Sequence, residues 1–386
     1  MEKQTAVVVI PTYNEAETIG KMIDFLFRQT FPGITNWICK VLIVDANSPD
    51  GTANIVRGKQ KLYKNLHLFV EEKKEGIGAA YVKGFRWAMK ELGADVLIEF
   101  DGDFQHPPQT IPVMLKEIDQ GADYVLGSRK IKGGSNPKGW GFKRLFFSEV
   151  GGLVARFILF FPTKMFFKIT DPTTGLKASK VKGFIDQMDM DHLYSKGFGY
   201  KLEFLYKMVK LGAKVKEIPL KFQLRQAGES KITSNTAKDI LRTVVLLRWN
   251  DQQTQSFLKF AIVGFIGYIV NALGLELFYH LGFSPGLAAA AGAELAIISN
   301  FTWNNLWTFR YKKISGFGNI IKKFFAFNLT SAGAVVIQFV VVGLGTRLTG
   351  DQWRQIWLVI AIGFFIIPYN WLIYNKIIWK KSETKE

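Results

Sequence analysis

The chain has 386 residues, 48% of them hydrophobic, and its 50 Lys and Arg against 32 Asp and Glu give a formal charge of +18. That length allows two or three domains, and the single cysteine, Cys39, excludes a disulfide framework within one chain. Residues 256–386 carry a net charge of +7, so the first 255 residues carry the remaining +11. A basic surface of this kind favours partners that bear phosphate, such as nucleotides or anionic lipids.

Short apolar runs alternate with helix-period segments along the first two thirds of the chain. Such alternation predicts an α/β domain with a mostly parallel sheet covered on both faces. In that architecture ligands bind beyond the carboxyl ends of the strands, where polar, turn-rich segments follow all of the runs. The runs cover residues 6–10, 41–44, 66–70, 96–100 and 122–126, with helical spacing at 15–29 and 77–91.

The fourth run is followed by the most informative segment, residues 101–105, with the sequence Asp-Gly-Asp-Phe-Gln. Asp101 and Asp103 are two residues apart, so an extended backbone would direct both carboxylates to the same side. Adjacent carboxylates repel each other unless a cation lies between them, and oxygen ligands suit Mg²⁺ or Mn²⁺. Asp101, Asp103 and the side-chain oxygen of Gln105 are therefore the candidate metal ligands.

Residues 142–161 place apolar side chains at helical spacing, with Lys143, Arg144 and Arg156 among them. The segment carries too many charges to span a bilayer but is unusually apolar for a soluble surface. This pattern favours a helix that lies in the plane of the membrane interface. Residues 236–255 are interpreted as a second interfacial helix that links the two parts of the chain. The alternative to an interfacial position is that both segments form core helices of the soluble domain.

Four apolar stretches, at about 257–281, 285–309, 324–346 and 355–378, each approach or exceed the ~20 residues needed to cross a bilayer. Lys and Arg concentrate before the first, between the second and third, and after the fourth. Positive-inside counting predicts a multi-pass protein of the cell membrane with its soluble domain and both termini in the cytoplasm. Intramembrane polar side chains should face the interior of the bundle, since lipid contact is costly; they are Asn271, Glu276, Glu294 and Asn300.

Seven motifs occur in an order that resembles one known group of enzymes. They are P-T-Y-N-E (11–15), V-D-x-x-S-P-D-G-T (44–52), K-x-G-I-G (74–78), D-G-D-F-Q-H-P-P (101–108), G-S-R (127–129), D-P-T-T-G-L-K (171–177) and R-x-x-G-x-S-K (225–231). Together they resemble the inverting GT-A glycosyltransferases of family 2, in the dolichyl- or polyprenyl-phosphate mannosyltransferase group. Two further patterns, at 259–268 and 299–310, resemble GtrA-like membrane domains.

The resemblance implies a GT-A catalytic domain over residues 1–235, a linker over 236–255 and a GtrA-like domain with four transmembrane helices over 256–381. It implies transfer of mannose, with inversion, from GDP-mannose to dolichyl or polyprenyl phosphate at the cytoplasmic face of the lipid bilayer. The products would be the lipid phosphate mannose and GDP, and no nucleic-acid partner is expected.

The matched motifs also imply roles for individual residues. Asp103 and Arg129 are the expected catalytic residues, and Asp103 and Gln105 are the favoured direct ligands of Mg²⁺ or Mn²⁺. The expected base and ribose pocket consists of Pro11, Tyr13, Glu15, Val44 and Asp45. The expected diphosphate and acceptor contacts are Asp101, Gly102, Asp103, Arg129, Lys177, Arg225 and Lys231.

The chemistry of the acceptor explains why so many cations are expected. A phosphate monoester has a second pKa of about 6, so it is mostly dianionic near neutral pH. It therefore needs no strong general base, unlike a sugar hydroxyl, but it does need positive charge to approach an anionic donor. Arginine can supply that charge through two parallel hydrogen bonds.

Alternatives remain open at this point. Glucosyl transfer from UDP-glucose is one, because Ala46 stands where many members of the group carry a second aspartate. A lipid-linked-sugar flippase with a non-catalytic soluble domain is another. A processive polysaccharide synthase is disfavoured, since the chain lacks a Q-x-x-R-W motif. The oligomeric state and the role of the membrane domain are left undetermined.

Overall fold

The computed structural model describes residues 3–225 and 234–380. It divides into two compact units, residues 1–249 and 250–386. A seven-stranded sheet in the order β3-β2-β1-β4-β6-β5-β7 forms the centre of the first unit. The strands are β1 (Gln4–Thr12), β2 (Trp37–Asp45), β3 (Leu66–Val70), β4 (Val96–Glu99), β5 (Tyr124–Ser128), β6 (Lys177–Lys180) and β7 (Val215–Pro219).

All neighbouring strands run parallel except where β6 lies antiparallel between β4 and β5. The predicted α/β class and its mostly parallel sheet are confirmed. The sequence patterns did not predict β6 or β7. β6 has the sequence Lys-Ala-Ser-Lys, which lacks the β-branched residues that mark the other central strands.

Helices cover both faces of the sheet, which explains why its strands are continuous apolar runs. Val7 and Val9 of β1 point into a core formed with α3, α5, α7 and α8, and Val8 points into a second core formed with α1, α2 and α4. The helices are α1 (Ala16–Phe25), α2 (Thr52–Gln60), α3 (Ile77–Leu92), α4 (Thr110–Asp119), α5 (Phe142–Phe160), α6 (Met165–Lys168), α7 (Tyr200–Lys210) and α8 (Ser234–Trp249).

α5 and α8 each combine a buried stripe with an exposed apolar surface. Leu159 of α5 and Val244 of α8 are buried in the core. Phe142 and Phe147 of α5 are 81% and 63% exposed, and Trp249 at the end of α8 is 57% exposed. The two helices therefore contribute to the core of the unit and also present apolar side chains outward.

The second unit is helical. Among its described residues, the stretches Gln252–His280 and Ala361–Ile378 are long and apolar enough to cross a membrane. The side chain of Asp251 accepts hydrogen bonds from the backbone N–H groups of Gln253 and Thr254 and so caps the first of them. Its helices are α9 (Gln252–His280), α10 (Pro285–Trp303), α11 (Phe317–Thr349), α12 (Arg354–Ile360) and α13 (Ile367–Ile373), with π-helical segments at Asn304–Thr308, Ala361–Ile366 and Tyr374–Ile378.

An aromatic cluster forms the core of the second unit and includes the stacked rings of Phe309 and Trp379, whose centroids are 4.6 Å apart. The intramembrane carboxylates lie elsewhere. Glu276 and Glu294 are exposed, so the prediction that they face the bundle interior is wrong. The half-buried Asn271 and Asn300 do face the neighbouring helix, against Gly292 and Gly267. Glu276 lies one turn from the end of α9, 3.8 Å from His280, and Glu294 instead accepts a hydrogen bond from Asn328 at 3.2 Å.

Candidate active site

Backbone strain marks the carboxyl edge of the sheet. Asn14, Asn47 and Phe104 are the three non-glycine residues with positive φ among the residues that the structure describes, at 55°, 54° and 62°. They follow β1, β2 and β4 respectively. Such conformations cost about 1–3 kcal/mol each and cluster at functional sites, where the surrounding structure holds them in place. The strain therefore locates the candidate site at the edge that the sequence predicted.

The loops after β1 and β2 are tied to each other by short polar side chains. Asp45 is fully buried, and its Oδ1 accepts hydrogen bonds from Thr12 Oγ1 at 2.9 Å and Ser48 Oγ at 2.7 Å. The backbone N–H of Asn14 donates to Ser48 Oγ at 3.0 Å, and that of Ala16 donates to Asp50 Oδ2 at 3.0 Å. The motif at 44–52 thus fixes the shape of the motif at 11–15.

Two members of the predicted base and ribose pocket are buried in the protein. The Asp45 carboxylate is occupied by Thr12 and Ser48, because its Oδ2 also accepts from the Ser48 N–H at 2.9 Å. The Val44 side chain is fully buried against α3, where a Cβ added at Gly84 would come within 2.8 Å of it. Any contact of Val44 with a ligand would therefore involve its main chain.

The other three members lie where a ligand can reach them. Pro11, Tyr13 and Glu15 are all half-buried. Lys74 Nζ lies 3.6 Å from the centre of the Tyr13 ring, a cation–π contact that brings the third motif against the first. The Tyr13 ring and the Lys74 ammonium together offer a flat face and a positive charge, which suit a base and a phosphate.

The segment after β4 is a turn. β4 ends at Glu99, so Asp101 and Asp103 do not lie on extended backbone, and the prediction that alternation directs them to one side is wrong. The left-handed conformation of Phe104 reverses the chain, and the Gln105 N–H donates to Asp103 Oδ1 at 3.0 Å. The Asp101 side chain is 28% exposed and that of Asp103 only 2%.

Arg225 joins the two acidic motifs. Its Nε and Nη2 each donate to Asp103 Oδ2 at 2.9 Å, and its Nη1 lies 3.8 Å from Glu15 Oε1. Residues separated by 122 and 210 positions in the sequence therefore meet at one guanidinium. The predicted positions Glu15, Asp103 and Arg225 are brought together.

The pKa values of Asp101 and Asp103 are shifted in opposite directions. Burial raises the pKa of Asp103 to about 6, and the negative charge of Asp101 adds to the rise. Burial also acts to raise the pKa of Asp101, but electrostatic interactions with His106, Lys201 and Arg225 hold that pKa below its usual value. The carboxylates are thus close enough to repel each other, which is the condition that a bound cation relieves.

The donor set fits a hard divalent ion only in part. In the described ranges, no group of three or more His, Cys, Asp or Glu side chains is arranged to hold a metal. Asp101 and Asp103 supply carboxylate oxygens, and Gln105 is oriented by a hydrogen bond from its Nε2 to the carbonyl of Gln223 at 3.3 Å. A cation here would therefore depend on oxygens from its ligand or from water as well.

Arg129 is held in a buried ion pair. Its Nε and Nη2 each donate to the carboxylate of Asp171 at 2.7 Å, and Nη2 also donates to Thr173 at 3.0 Å. Burial acts to raise the pKa of Asp171, but the charge of Arg129 holds it below its usual value. The G-S-R and D-P-T-T-G-L-K motifs are therefore partners, and a phosphate contact by Arg129 stays a prediction.

Lys177 is fully buried in β6 and not on a loop. It pairs with Glu99 in the β4–β6 register, and its Nζ donates to the Lys201 carbonyl. Burial lowers the pKa of Lys177 to about 8. The structure thus places this predicted phosphate ligand inside the domain. Lys231 lies outside the described residues.

Two cations that the sequence analysis did not assign to the site lie close to it. Arg144 and Arg129 lie over the same Trp140 ring, 4.2 and 5.9 Å from its centre. Burial lowers the pKa of Arg144, and the charges of Arg225 and Arg129 lower it further. Lys201 is 3% exposed, and its Nζ would lie 2.8 Å from a Cβ built at Gly175. Arg144 was visible only as a charge on an amphipathic helix, and no motif signalled Lys201.

Comparison with known proteins relates both units to described families. The family model for glycosyl transferase family 2 matches residues 7–185, and that for the GtrA/DPMS transmembrane domain matches residues 259–379. A dolichol-phosphate mannosyltransferase of Pyrococcus furiosus is 32% identical over 335 residues, which cover 86% of this chain and 88% of that protein.

An undecaprenyl-phosphate mannosyltransferase of Micrococcus luteus is 33% identical over 241 residues, covering 62% of this chain and 92% of that protein. Among solved structures, mannosyl-3-phosphoglycerate synthase from Rubrobacter xylanophilus superimposes with a TM-score of 0.45 at 19% identity. That superposition covers 65% of this chain and 76% of the synthase chain.

Proposed function

We propose a donor and a stereochemical course for this chain. The premise is that the chain belongs to the dolichol- and polyprenyl-phosphate mannosyltransferases, with a family 2 glycosyltransferase domain and a GtrA/DPMS membrane domain. The donor is GDP-mannose and the acceptor is a dolichyl or polyprenyl phosphate. Transfer inverts the anomeric centre. The observation that supports this best is the positive charge beside the Asp101–Asp103 pair. Arg225 lies 2.9 Å from Asp103, and Arg129 and Arg144 lie 5.9 and 4.2 Å from the centre of the Trp140 ring.

Cleavage of a sugar nucleotide places negative charge on the departing diphosphate. A divalent ion, Mg²⁺ or Mn²⁺, supplies stabilisation of that charge when it is bound. Asp101, Asp103 and Gln105 would hold it, because burial and the nearby charge of Asp101 raise the pKa of Asp103, and a cation between the two carboxylates would relieve their repulsion. Arg225 orients Asp103 and Glu15 and adds positive charge on the same side of the sheet.

The acceptor phosphate arrives as an anion and attacks without prior loss of a proton. Arg144 and Arg225 would bind it, and Arg129 would complete the positive surface from its ion pair with Asp171. Direct attack by a phosphate oxygen in a single displacement inverts the anomeric carbon. An α-linked donor would then yield a β-linked lipid product.

The membrane arrangement is also a proposal. Residues 1–235 form the catalytic domain, 236–255 link it to the membrane, and 256–381 form four transmembrane helices with both termini in the cytoplasm. The exposed aromatic side chains of α5 and the exposed Trp249 support an interfacial position for α5 and α8. An interfacial α5 would hold Arg144, on its first turn, at the depth of lipid phosphates.

A labelled-donor assay on the full-length protein in membranes tests the reaction. We expect polyprenyl phosphate to acquire label from GDP-[¹⁴C]mannose, and the mannosyl phosphate linkage to have the β configuration by NMR. Label entering lipid only from UDP-[¹⁴C]glucose would reject GDP-mannose as the donor. An α-linked product would reject direct displacement.

The variant Asp103→Asn separates catalysis from mere binding of product. It removes the charge but keeps the size of the side chain, and we expect transfer to fall at least about 100-fold, as does removal of the metal by EDTA. Restored activity on addition of Mn²⁺ or Mg²⁺ to the EDTA-treated wild type is the matched control. Full transfer by Asp103→Asn, or an enzyme indifferent to EDTA, would contradict the proposed mechanism.

A further inference from the structure

A groove of about 640 Å³ lies in the second unit, between the end of α10 and the start of α11. Its walls are mainly apolar, and several of the side chains that form them are exposed. Lys313, in the connection between the two helices, also lines it. The apolar members of its lining include Ile298, Phe301, Leu306, Ile320, Ile321 and Phe324.

One wall of the groove is fixed by a buried amide. Asn305, only 6% exposed, donates from Nδ2 to the Ile314 carbonyl at 3.1 Å and accepts at Oδ1 from the Ile314 N–H at 2.8 Å. Trp379 Nε1 donates to the same oxygen at 3.0 Å. These hydrogen bonds hold the connection between α10 and α11, which includes Lys313, against the aromatic core. The groove is therefore a formed feature of the unit and does not depend on a ligand for its shape.

Basic side chains predominate around the groove, and an acidic one, Glu294, lies one turn before Ile298 on α10. Residues 295–340 contain five basic side chains and no acidic one. Lys312 donates to Asn375 Oδ1 at 2.8 Å and Lys323 donates to the Ile377 carbonyl at 2.6 Å, so these two cations contact the last helical turn. Lys313 is exposed and lies at the groove itself. An apolar groove with a cation at its wall is complementary to a hydrocarbon chain that ends in a phosphate.

We propose that this groove binds an acidic phospholipid, with an acyl chain against Ile298 and Ile321 and the headgroup phosphate at Lys313. The exposed Ser315 beside Lys313 supplies a hydroxyl for the ester oxygens of a diacyl lipid, which an isoprenoid phosphate lacks. The family to which the chain belongs places this unit in a membrane, so bulk phospholipid contacts the groove continuously. The inference does not rest on the proposed donor or reaction.

Lipid retention by the purified full-length protein tests the proposal. We expect native mass spectrometry from detergent to show phosphatidylglycerol retained in preference to phosphatidylcholine of the same acyl chains. Lys313→Ala should weaken that retention about fivefold, the change expected for one cation at a lipid phosphate. Lys322→Ala is the matched control, because Lys322 is exposed on α11 and outside the lining. It should leave retention unchanged.

A second variant tests the hydrocarbon part. Ile298→Trp fills the groove without altering charge and should weaken retention of phosphatidylglycerol, with the lipid-free melting temperature kept as a check on folding. Equal retention of the two lipids by the wild type, or equal losses in Lys313→Ala and Lys322→Ala, would overturn the proposal. So would undecaprenyl phosphate displacing phosphatidylglycerol at lower concentration. Each of these results leaves the mannosyl-transfer assay unaffected.

Discussion

The two units treat buried polar groups differently. In the first, charged side chains are buried in pairs at the edge of the sheet, as in Asp103 with Arg225 and Asp171 with Arg129. In the second, the buried polar group that organises the aromatic core is the neutral Asn305, Glu276 and Glu294 are exposed, and the buried Asp251 caps the start of α9. Burying an ion is expensive and adds little net stability even when it is paired. The buried ion pairs Asp103–Arg225 and Asp171–Arg129 therefore belong to the unit that matches the glycosyltransferase family.

Breaking the Arg129–Asp171 pair should have the largest effect on stability. Asp171→Ala leaves the buried guanidinium without its carboxylate, so we expect the free energy of unfolding to fall by about 3–5 kcal/mol. Denaturant unfolding of the full-length protein, followed by the fluorescence of the first unit, measures it. Asp191→Ala is the control, because Asp191 pairs with Arg86 at 2.6 Å on the surface and should cost less than about 1 kcal/mol. Similar losses of unfolding free energy in the two variants would mean that the buried pair contributes no more to stability than the surface pair.

In the second unit, Asn305→Ala should cost about 2 kcal/mol. It leaves the Ile314 N–H and Trp379 Nε1 without their acceptor in the core, and each unsatisfied buried group costs about 1–3 kcal/mol. The melting temperature of the protein in detergent measures the loss. Asn305→Asp keeps the acceptor but adds a charge. If the aspartate variant were as stable as wild type, the preference of this unit for neutral buried groups would be refuted.

Arg225→Lys tests the role of the buried Arg225–Asp103 pair of the first unit in activity. It keeps one positive charge but cannot donate to Asp103 through two nitrogens while facing Glu15. We expect kcat/KM for the donor to fall about tenfold, the equivalent of about 1.4 kcal/mol, with little change in melting temperature. A rate equal to that of the wild type would show that charge alone matters at this position.

The smallest effect is expected at the exposed pair of the second unit. Asn328→Ala removes the hydrogen bond to Glu294, and such bonds within membranes contribute about 0.6 kcal/mol on average. Unfolding in mixed micelles of increasing denaturant detergent measures this difference. A loss as large as that of Asn305→Ala would mean that Glu294 is buried in the working protein, for example by another copy of the chain.

Local sequence pattern sufficed for the class of the fold and for the edge of the sheet at which the site lies. The apolar runs predicted five strands, and the motif order placed Glu15, Asp103 and Arg225 in one site although they are far apart in the chain. It could not reveal that Arg129 is bound by Asp171, because that pairing depends on the long-range insertion of β6 between β4 and β5.

Two further features could not be predicted from the local sequence. The turn at 101–105 depends on a left-handed Phe104, and a phenylalanine does not signal such a conformation as a glycine would. The motif at 171–177 marks Lys177 but not its burial, and Lys201 resembles an ordinary surface lysine, yet the topology of the sheet and α7 buries both. Whether a lysine is solvated is decided by elements distant in sequence.

The left-handed residues Asn14, Asn47 and Phe104 have a consequence for how this protein can be improved. Glycine adopts such a conformation at no steric cost but adds freedom to the unfolded chain, so the two effects nearly cancel in stability at the exposed Asn14 and Asn47. Phe104 differs because its ring also packs against the core and contacts Phe25. The effects do not cancel in positional accuracy, since glycine would widen the range of backbone conformations open to each loop and, at position 47, would remove the hydrogen bond from Asn47 Nδ2 to the Glu72 carbonyl. Selection for heat resistance alone would therefore drift neutrally at Asn14 and Asn47 but not at Phe104, while selection for turnover would keep all three as they are.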